Sequence, residues 1–186
     1  VFFDRDGVLN REIPGRGILK AGDLELFPQA ARAVQLVNRA GLLAVAVTNQ
    51  PHLAKGFTSP EEINRIHAKL ETLLGHENAL LDRIYYCPHH PEKGHQGEIP
   101  ELKIECGCRK PEPGLILRAA EELPIDLEQS CLIGDTWRDM GAARAAGIRA
   151  YGVKTGYGCE NCVDEYAPDK VFPDALSAVK YFLNRE

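Results

Sequence analysis

The chain has 186 residues, 44% of them hydrophobic and 26% charged, with a formal net charge of −5 at pH 7. That balance fits one soluble globular domain rather than a disordered chain, and the acidic excess disfavours nucleic acid as a partner. No apolar run nears the roughly 20 residues needed to span a bilayer, so no membrane partner is expected, and the six cysteines do not make a disulfide scaffold in a chain this long.

The first ten residues, VFFDRDGVLN, set the apolar run Val1–Phe3 directly against Asp4 and Asp6, with Gly7 next. The run reads as a buried strand, and charges at its end must pair, bind metal or do chemistry. The chain starts without Met, with three apolar residues before the first charge. The strand is therefore expected to begin earlier, with a few residues or a preceding domain missing, and the start does not fit a secretory leader. Arg11–Leu26 is a loop punctuated by Gly and Pro. Pro28–Ala40 carries Ala30, Ala31, Val34, Leu36 and Val37 on one apolar stripe and predicts a helix stopped by Gly41. Leu43–Val47 predicts a strand, and Thr48-Asn49-Gln50 follows it. Ser59–Leu74 predicts a helix with Ser59 as cap, Pro60 in its first position and Glu62 three residues after the cap.

The strand Arg83–Tyr86 leads into a long loop, Cys87–Pro113, with four possible metal ligands. Helices are predicted at Pro113–Leu123, Arg138–Ala146 and Pro173–Leu183, and strands at Ser130–Ile133 and Ala150–Val153, with Val171–Phe172 as a short edge strand. Strands alternating with helices predict a single α/β domain over residues 1–186, a central parallel sheet covered on both faces. Ligands bind such sheets at the carboxyl ends of their strands.

Chemistry-bearing residues stand at those ends. Asp4 and Asp6, two apart in an extended segment, can project the same way. One carboxylate can attack phosphorus and the other can protonate the leaving oxygen. Two anions attacking an anion need positive charge, which Mg²⁺ and a lysine supply. Thr48-Asn49-Gln50 ends one strand with a hydroxyl and successive N–H groups suited to a phosphate. Arg109-Lys110-Pro111 leads into a helix, and Gly134-Asp135-Thr136-Trp137-Arg138-Asp139 follows another strand. Each has a plain structural reading. Asp4 and Asp6 could cap a turn, Asp135 could cap a helix, and Asp139 could complement the helix dipole. Their order along the strand ends favours a shared site.

Cys87-Pro88-His89-His90 and Cys106-Gly107-Cys108 form two short knuckles. Cys87, His89, Cys106 and Cys108 make a Cys₃His set suited to closed, tetrahedral, structural zinc, with His90 as the alternative to His89. Zinc would organise the loop 87–113 and place Arg109 and Lys110. Thiols held this way suit a reducing, cytoplasmic setting. Cys159-Glu160-Asn161-Cys162 lies apart in a late loop, and Cys131 reads as core.

Taken together, the motifs resemble the haloacid dehalogenase-like (HAD) phosphatase superfamily. Asp4-Arg5-Asp6-Gly7-Val8 looks like its first signature, with nucleophile and acid/base, Thr48 like the second, Lys110 like the third, and Gly134-Asp135 with Asp139 like the fourth. The resemblance implies a HAD-like Rossmannoid three-layer sandwich, an aspartyl-phosphate intermediate, and Mg²⁺ held by the carboxylates of Asp4 and Asp135 and the main-chain carbonyl of Asp6. Tyr85-Tyr86-Cys87-Pro88-His89-His90-Pro91 and Cys106-Gly107-Cys108-Arg109-Lys110-Pro111 are similar to the zinc-bearing heptose-bisphosphate 7-phosphatase family, whose cousins are the histidinol-phosphate phosphatases. Neither group has a large cap domain, and the longer loop here favours the heptose branch.

The expected activity is therefore a monomeric, Mg²⁺-dependent phosphomonoesterase acting on a small sugar phosphate. Asp4, Asp6, Thr48 and Lys110 would be catalytic, Asn49, Gln50, Arg109 and Thr136 would bind substrate, and Asp139 would support Lys110 or the metal. The chain departs from the family at Pro51-His52-Leu53, at Ile13-Pro14-Gly15-Arg16-Gly17 and at Thr136, where the sugar and far phosphate would be read; Arg16 or Lys55 could replace a missing cation there. The alternatives are histidinol phosphate as substrate and a zinc-organised binding module without catalysis.

Overall fold

Phe2 and Phe3 are neighbours on one strand, point to opposite faces, and are both buried. The computed structural model describes residues 1–184. Strand β1 (Phe2–Phe3) lies between β2 (Val45–Asn49) and β4 (Cys131–Gly134). Strand β3 (Arg83–Cys87) pairs outside β2, and β5 (Arg149–Val153) and β6 (Lys170–Phe172) extend the other side, so the order is β3-β2-β1-β4-β5-β6. Every pairing is parallel.

Both faces of the sheet are covered, which is why its strands read as continuous apolar runs. Phe3, Ala46, Ile133 and Tyr151 face the helices α1 (Ala30–Arg39), α3 (Pro60–His76) and α6 (Ala175–Leu183). Phe2, Val45, Val47 and Leu132 face α4 (Gly114–Glu122) and α5 (Trp137–Ala145). Burying each large apolar side chain contributes about 1.5–3 kcal/mol. A charge at Val47 or Ile133, each fully buried, would remove that gain and strand an ion in the core. This is the three-layer HAD-like sandwich expected from the sequence, with no inserted cap domain among the described residues.

Helix boundaries follow their signals. Ser59 Oγ accepts from Glu62 N–H at 3.2 Å at the start of α3. The Glu62 carboxylate turns instead to Ala21 N–H at 2.8 Å and ties the 11–26 loop to that helix. Local differences separate structure from expectation, two of them at the site. The second strand begins two residues later than predicted and continues through Thr48 and Asn49, because they pair with Tyr86 and Cys87 of β3. These polar residues are hidden from an apolar-run reading. The short helix α2 (Pro51–Ala54) was not expected, since one turn carries no periodicity.

The 87–113 loop packs on that short helix. Ile99 N–H donates to Ala54 O at 3.0 Å, and His90 N–H to Leu102 O at 3.1 Å. Gly56, at φ +75°, passes so close to Gly97 O that a Cβ would sit 1.9 Å from it. Only glycine fits that crossing.

Candidate active site

The strand order reverses about β1, and the carboxyl ends of β1, β2 and β4 open on one cavity of about 460 Å³. Its wall includes Asp4, Asp6, Thr48, Asn49, Arg109, Lys110, Asp135 and Thr136, residues spread over most of the chain.

Asp4 leaves β1 with its N–H bonded to Ile133 O at 2.9 Å. Its Oδ1 accepts from Arg5 N–H at 2.7 Å and from Lys110 Nζ at 2.8 Å. Both contacts fall on one oxygen, so the other remains for the cavity. Asp6 turns elsewhere: Arg5 Nε and Nη2 donate to its carboxylate at 2.8–3.1 Å, Asn10 Nδ2 at 2.9 Å and Gln50 Nε2 at 3.0 Å. Burial opposes ionisation of Asp6, but the Arg5 guanidinium and these donors prevail and hold its carboxyl below the usual range.

Lys110 Nζ is saturated by three acceptors, Asp4 Oδ1 at 2.8 Å, Val47 O at 2.8 Å and Asp139 Oδ1 at 2.5 Å. Asp139 Oδ2 accepts from Thr136 N–H at 3.0 Å and from the Thr136 hydroxyl at 2.7 Å. Thr136, not Asp135, therefore starts α5, and both oxygens of Asp139 are engaged. That suits a supporting carboxylate rather than a free ligand. Asn49 makes a reciprocal pair with the Lys110 backbone, Nδ2 to Lys110 O and Lys110 N–H to Oδ1, both at 3.0 Å. Gln50 is buried behind the wall.

Asp4, Asp135 and Asp139 bring carboxylate oxygens within 4.8 Å of one another. Asp135 Oδ2 accepts from Tyr157 N–H at 2.7 Å, while its Oδ1 is buried without a protein partner among the described residues. A Cβ on Gly7 would sit 2.1 Å from Asp135 Oδ2, so the backbone at that glycine (φ +87°) must stay bare to approach the carboxylate. Burial, then the Asp139 and Asp4 charges, push Asp135 up to about 9. Burial and Asp139 push Asp4 up to about 7, against Lys110. An orphaned buried oxygen among crowded carboxylates fits a hard dication such as Mg²⁺. Asp4 and Asp135 would hold it, and the carboxylate of Asp6 stands outside this group.

The second metal candidate closes as the spacing suggested. Cys87 and Cys106 sulfurs are 3.5 Å apart, Cys87 and Cys108 3.2 Å, and Cys106 and Cys108 3.4 Å. His89 Nδ1 lies 3.3 Å from Cys108 Sγ and 3.6 Å from Cys87 Sγ. Tetrahedral zinc with Zn–S bonds of about 2.3 Å asks for sulfurs about 3.8 Å apart, so the donors fit with a small outward move. His89, not His90, joins the sulfurs, and His90 faces the cavity instead. Hydrogen bonding from Cys87 pushes the Cys108 thiol down to about 5 while Cys87 is pushed up. Thiols crowded this closely cannot all ionise until a dication joins them.

Arg5 and the short helix that carries His52 and is capped by Lys55 had no sequence signal. Arg5 is fully buried yet clamps Asp6. His52 and Lys55 enter through the unexpected short helix. Trp137 lines the wall with its ring 5.1 Å from that of Tyr166. Arg16 lies outside the cavity in an ion pair with Asp23 at 2.6 Å.

Residues 107–178 match the HAD-hydrolase-like family model. A D-glycero-D-manno-heptose-1,7-bisphosphate 7-phosphatase of Chlorobaculum tepidum is 32% identical over 98% of this chain and 93% of its own. The chain belongs to the heptose-bisphosphate 7-phosphatase family of HAD-like hydrolases. A second family member, the D-glycero-beta-D-manno-heptose-1,7-bisphosphate 7-phosphatase of Vibrio cholerae, is 38% identical over 80% of this chain and 76% of its own. The crystal structure of a D,D-heptose 1,7-bisphosphate phosphatase from B. bronchiseptica, complexed with magnesium and phosphate, superposes with a TM-score of 0.85. It is 29% identical over 98% of this chain and 97% of that one. As a member of this family the chain is a HAD-type phosphatase.

Proposed function

We propose that the chain removes the C7 phosphate of D-glycero-D-manno-heptose 1,7-bisphosphate through an aspartyl phosphate on Asp4, within the synthesis of nucleotide-activated heptose for surface glycans. The observation that carries the chemistry is the free oxygen of Asp4, with its other oxygen pinned by Lys110 and a second carboxylate, Asp6, on the same cavity wall. The family relatives support the sugar over histidinol phosphate.

In the first step Asp4 attacks phosphorus and the P–O bond to the sugar breaks. Asp6, protonated as the anionic substrate settles beside it, gives the leaving oxygen that proton, then takes one from the water that hydrolyses the phosphoenzyme. The Thr48 hydroxyl and the Lys110 ammonium meet charge that spreads over the phosphoryl oxygens. Asp4, Asp135 and the Asp6 carbonyl would hold Mg²⁺, which would supply charge neutralisation between the two anions. Asn49 and Thr136 hold Lys110 and Asp139 in place from the cavity wall.

Arg109 and Lys55, at the zinc-loop side of the cavity, receive the second phosphate. Zinc in the Cys87, His89, Cys106 and Cys108 cluster is structural. The whole site comes from one copy of the chain, which supports action as a monomer, and the free thiols support a cytoplasmic setting.

The test is phosphate release with Mg²⁺ from both anomers of heptose 1,7-bisphosphate and from histidinol phosphate. A large kcat/KM preference for one heptose anomer is expected; a preference for histidinol phosphate would sink the sugar assignment while leaving the chemistry. Asp4→Asn should abolish turnover and phosphoenzyme, and full activity in that variant would sink the mechanism.

A further inference from the structure

Gln50 directly follows the second strand, where the sequence suggested a substrate contact. Its side chain instead lies behind the cavity wall, only 2% exposed. Its backbone N–H donates to Cys87 O at 2.8 Å, which anchors it to the strand that begins the zinc knuckle. Its amide nitrogen donates to Asp6 Oδ2 at 3.0 Å and to Thr48 Oγ1 at 2.9 Å. The Gln50 NH₂ carries two hydrogens and only donates, so one nitrogen meets both oxygens. The second hydrogen of the same NH₂ then falls to Thr48. A hydroxyl that accepts on one lone pair must aim its single proton elsewhere, and the cavity lies beside it.

We propose that Gln50 is a positioning residue whose one amide nitrogen fixes both the acid/base Asp6 and the proton of the Thr48 hydroxyl. Arg5 and Asn10 also hold Asp6. Among the hydrogen bonds of the described residues, only those of Gln50 join Asp6 to Thr48. Gln50 touches no reacting atom. It sets the direction from which the leaving oxygen is protonated and the direction in which the phosphoryl group is gripped. The short reach from Cys87 to Gln50 also gives the zinc knuckle a second route to the site, besides Arg109 and Lys110.

The proposal rests on the aspartyl-phosphate reading above, and a leaving-group comparison tests it. A sugar alkoxide leaves with a proton from Asp6 as the P–O bond breaks and the Asp4–phosphorus bond forms. The p-nitrophenolate ion needs no such proton. In rapid-quench measurements of the first turnover, Gln50→Met should slow heptose bisphosphate at least about tenfold more than p-nitrophenyl phosphate, because only the sugar alkoxide draws on general acid catalysis as it leaves. Gln50→Glu keeps the size of the side chain and is read by the same ratio, so a folding failure of one variant leaves the other.

The Thr48 arm is read with p-nitrophenyl phosphate. The losses in Thr48→Val and Gln50→Met should not multiply in the double variant. Equal slowing of both substrates, no slowing of either, or independent multiplication of the two losses would each overturn the role of Gln50. Net inversion rather than retention at a chiral phosphorus in the wild-type reaction would instead overturn the aspartyl-phosphate reading itself.

Discussion

The ammonium of Lys110 lies 2.8 Å from Asp4 Oδ1, with both side chains nearly closed to solvent. Burial opposes the lysine charge, but Asp139 and Asp4 outweigh it and hold Lys110 protonated. The pair joins the end of the first strand to the end of the zinc loop, 106 residues later by number (110 − 4). Lys110→Met leaves Asp4 and Asp139 facing each other without a cation. It should lower kcat by about 10²–10³ through lost charge stabilisation and cost about 3–5 kcal/mol of stability as a broken buried pair. Steady-state kinetics and urea unfolding read the two separately. Unchanged phosphoenzyme formation would contradict the role of Lys110.

The crowded carboxylates predict how Mg²⁺ and pH act together on stability. Asp4 is raised to about 7 and Asp135 to about 9, both above their unfolded values. The folded state therefore binds more protons than the unfolded one from about pH 4 to pH 9, and stability falls as pH rises through that window. Mg²⁺ stabilises the ionised forms and offsets the loss, but at low pH it must first displace protons. The Mg²⁺-induced rise in Tm should be several degrees larger at pH 9 than at pH 6, measured on zinc-replete protein. An equal rise at both pH values would mean that these carboxylates do not hold the ion.

Zinc removal should act at a distance. Arg109 Nη1 donates to His89 O at 3.3 Å, and Lys110 follows directly. Stripping zinc, or replacing Cys106 by Ser, should disorder residues 87–113 and lower turnover together, followed by amide exchange and phosphate release. Lost turnover with Arg109 and Lys110 still protected from exchange would contradict this coupling.

The far phosphate offers a sharper separation. Lys55 and Arg109 line the cavity, whereas Arg16 is spent on Asp23 outside it. Lys55→Ala and Arg109→Ala should each lower kcat/KM for the bisphosphate by about tenfold or more, as for a lost charged hydrogen bond. Turnover of p-nitrophenyl phosphate should change much less, and Arg16→Ala should leave both substrates within twofold. A larger loss in Arg16→Ala than in Lys55→Ala would reverse the assignment.

How far the site was legible differs residue by residue. Asp4 and Asp135 follow the ends of predicted strands, and parallel topology alone sends such ends to one rim, whereas Lys110 is brought there by the 87–113 loop. The Cys₃His cluster was readable from two knuckles because thiols and imidazoles at that spacing have few uses besides holding a metal. Gln50 was misplaced because its position after Thr48 says nothing of which way a strand-end side chain turns. Arg5 gave no signal, since an arginine beside a carboxylate ordinarily reads as solvated surface. Lys55 and His52 depended on one helical turn too short for any period to mark.

The alternation of apolar runs and helical stripes, read from the chain alone, determined the layered sheet and the motif order, and residue type set out two candidate metal sites. Each of these rests on local pattern and residue type. The tertiary structure decided which carboxylate meets Lys110 and which meets Arg5, that His89 rather than His90 joins the sulfurs, and that Gln50 serves Asp6 and Thr48 from behind the wall. These depend on side-chain direction at strand ends, where the regular period of the strand stops. There, buried polar groups choose partners by distance in space, not in sequence.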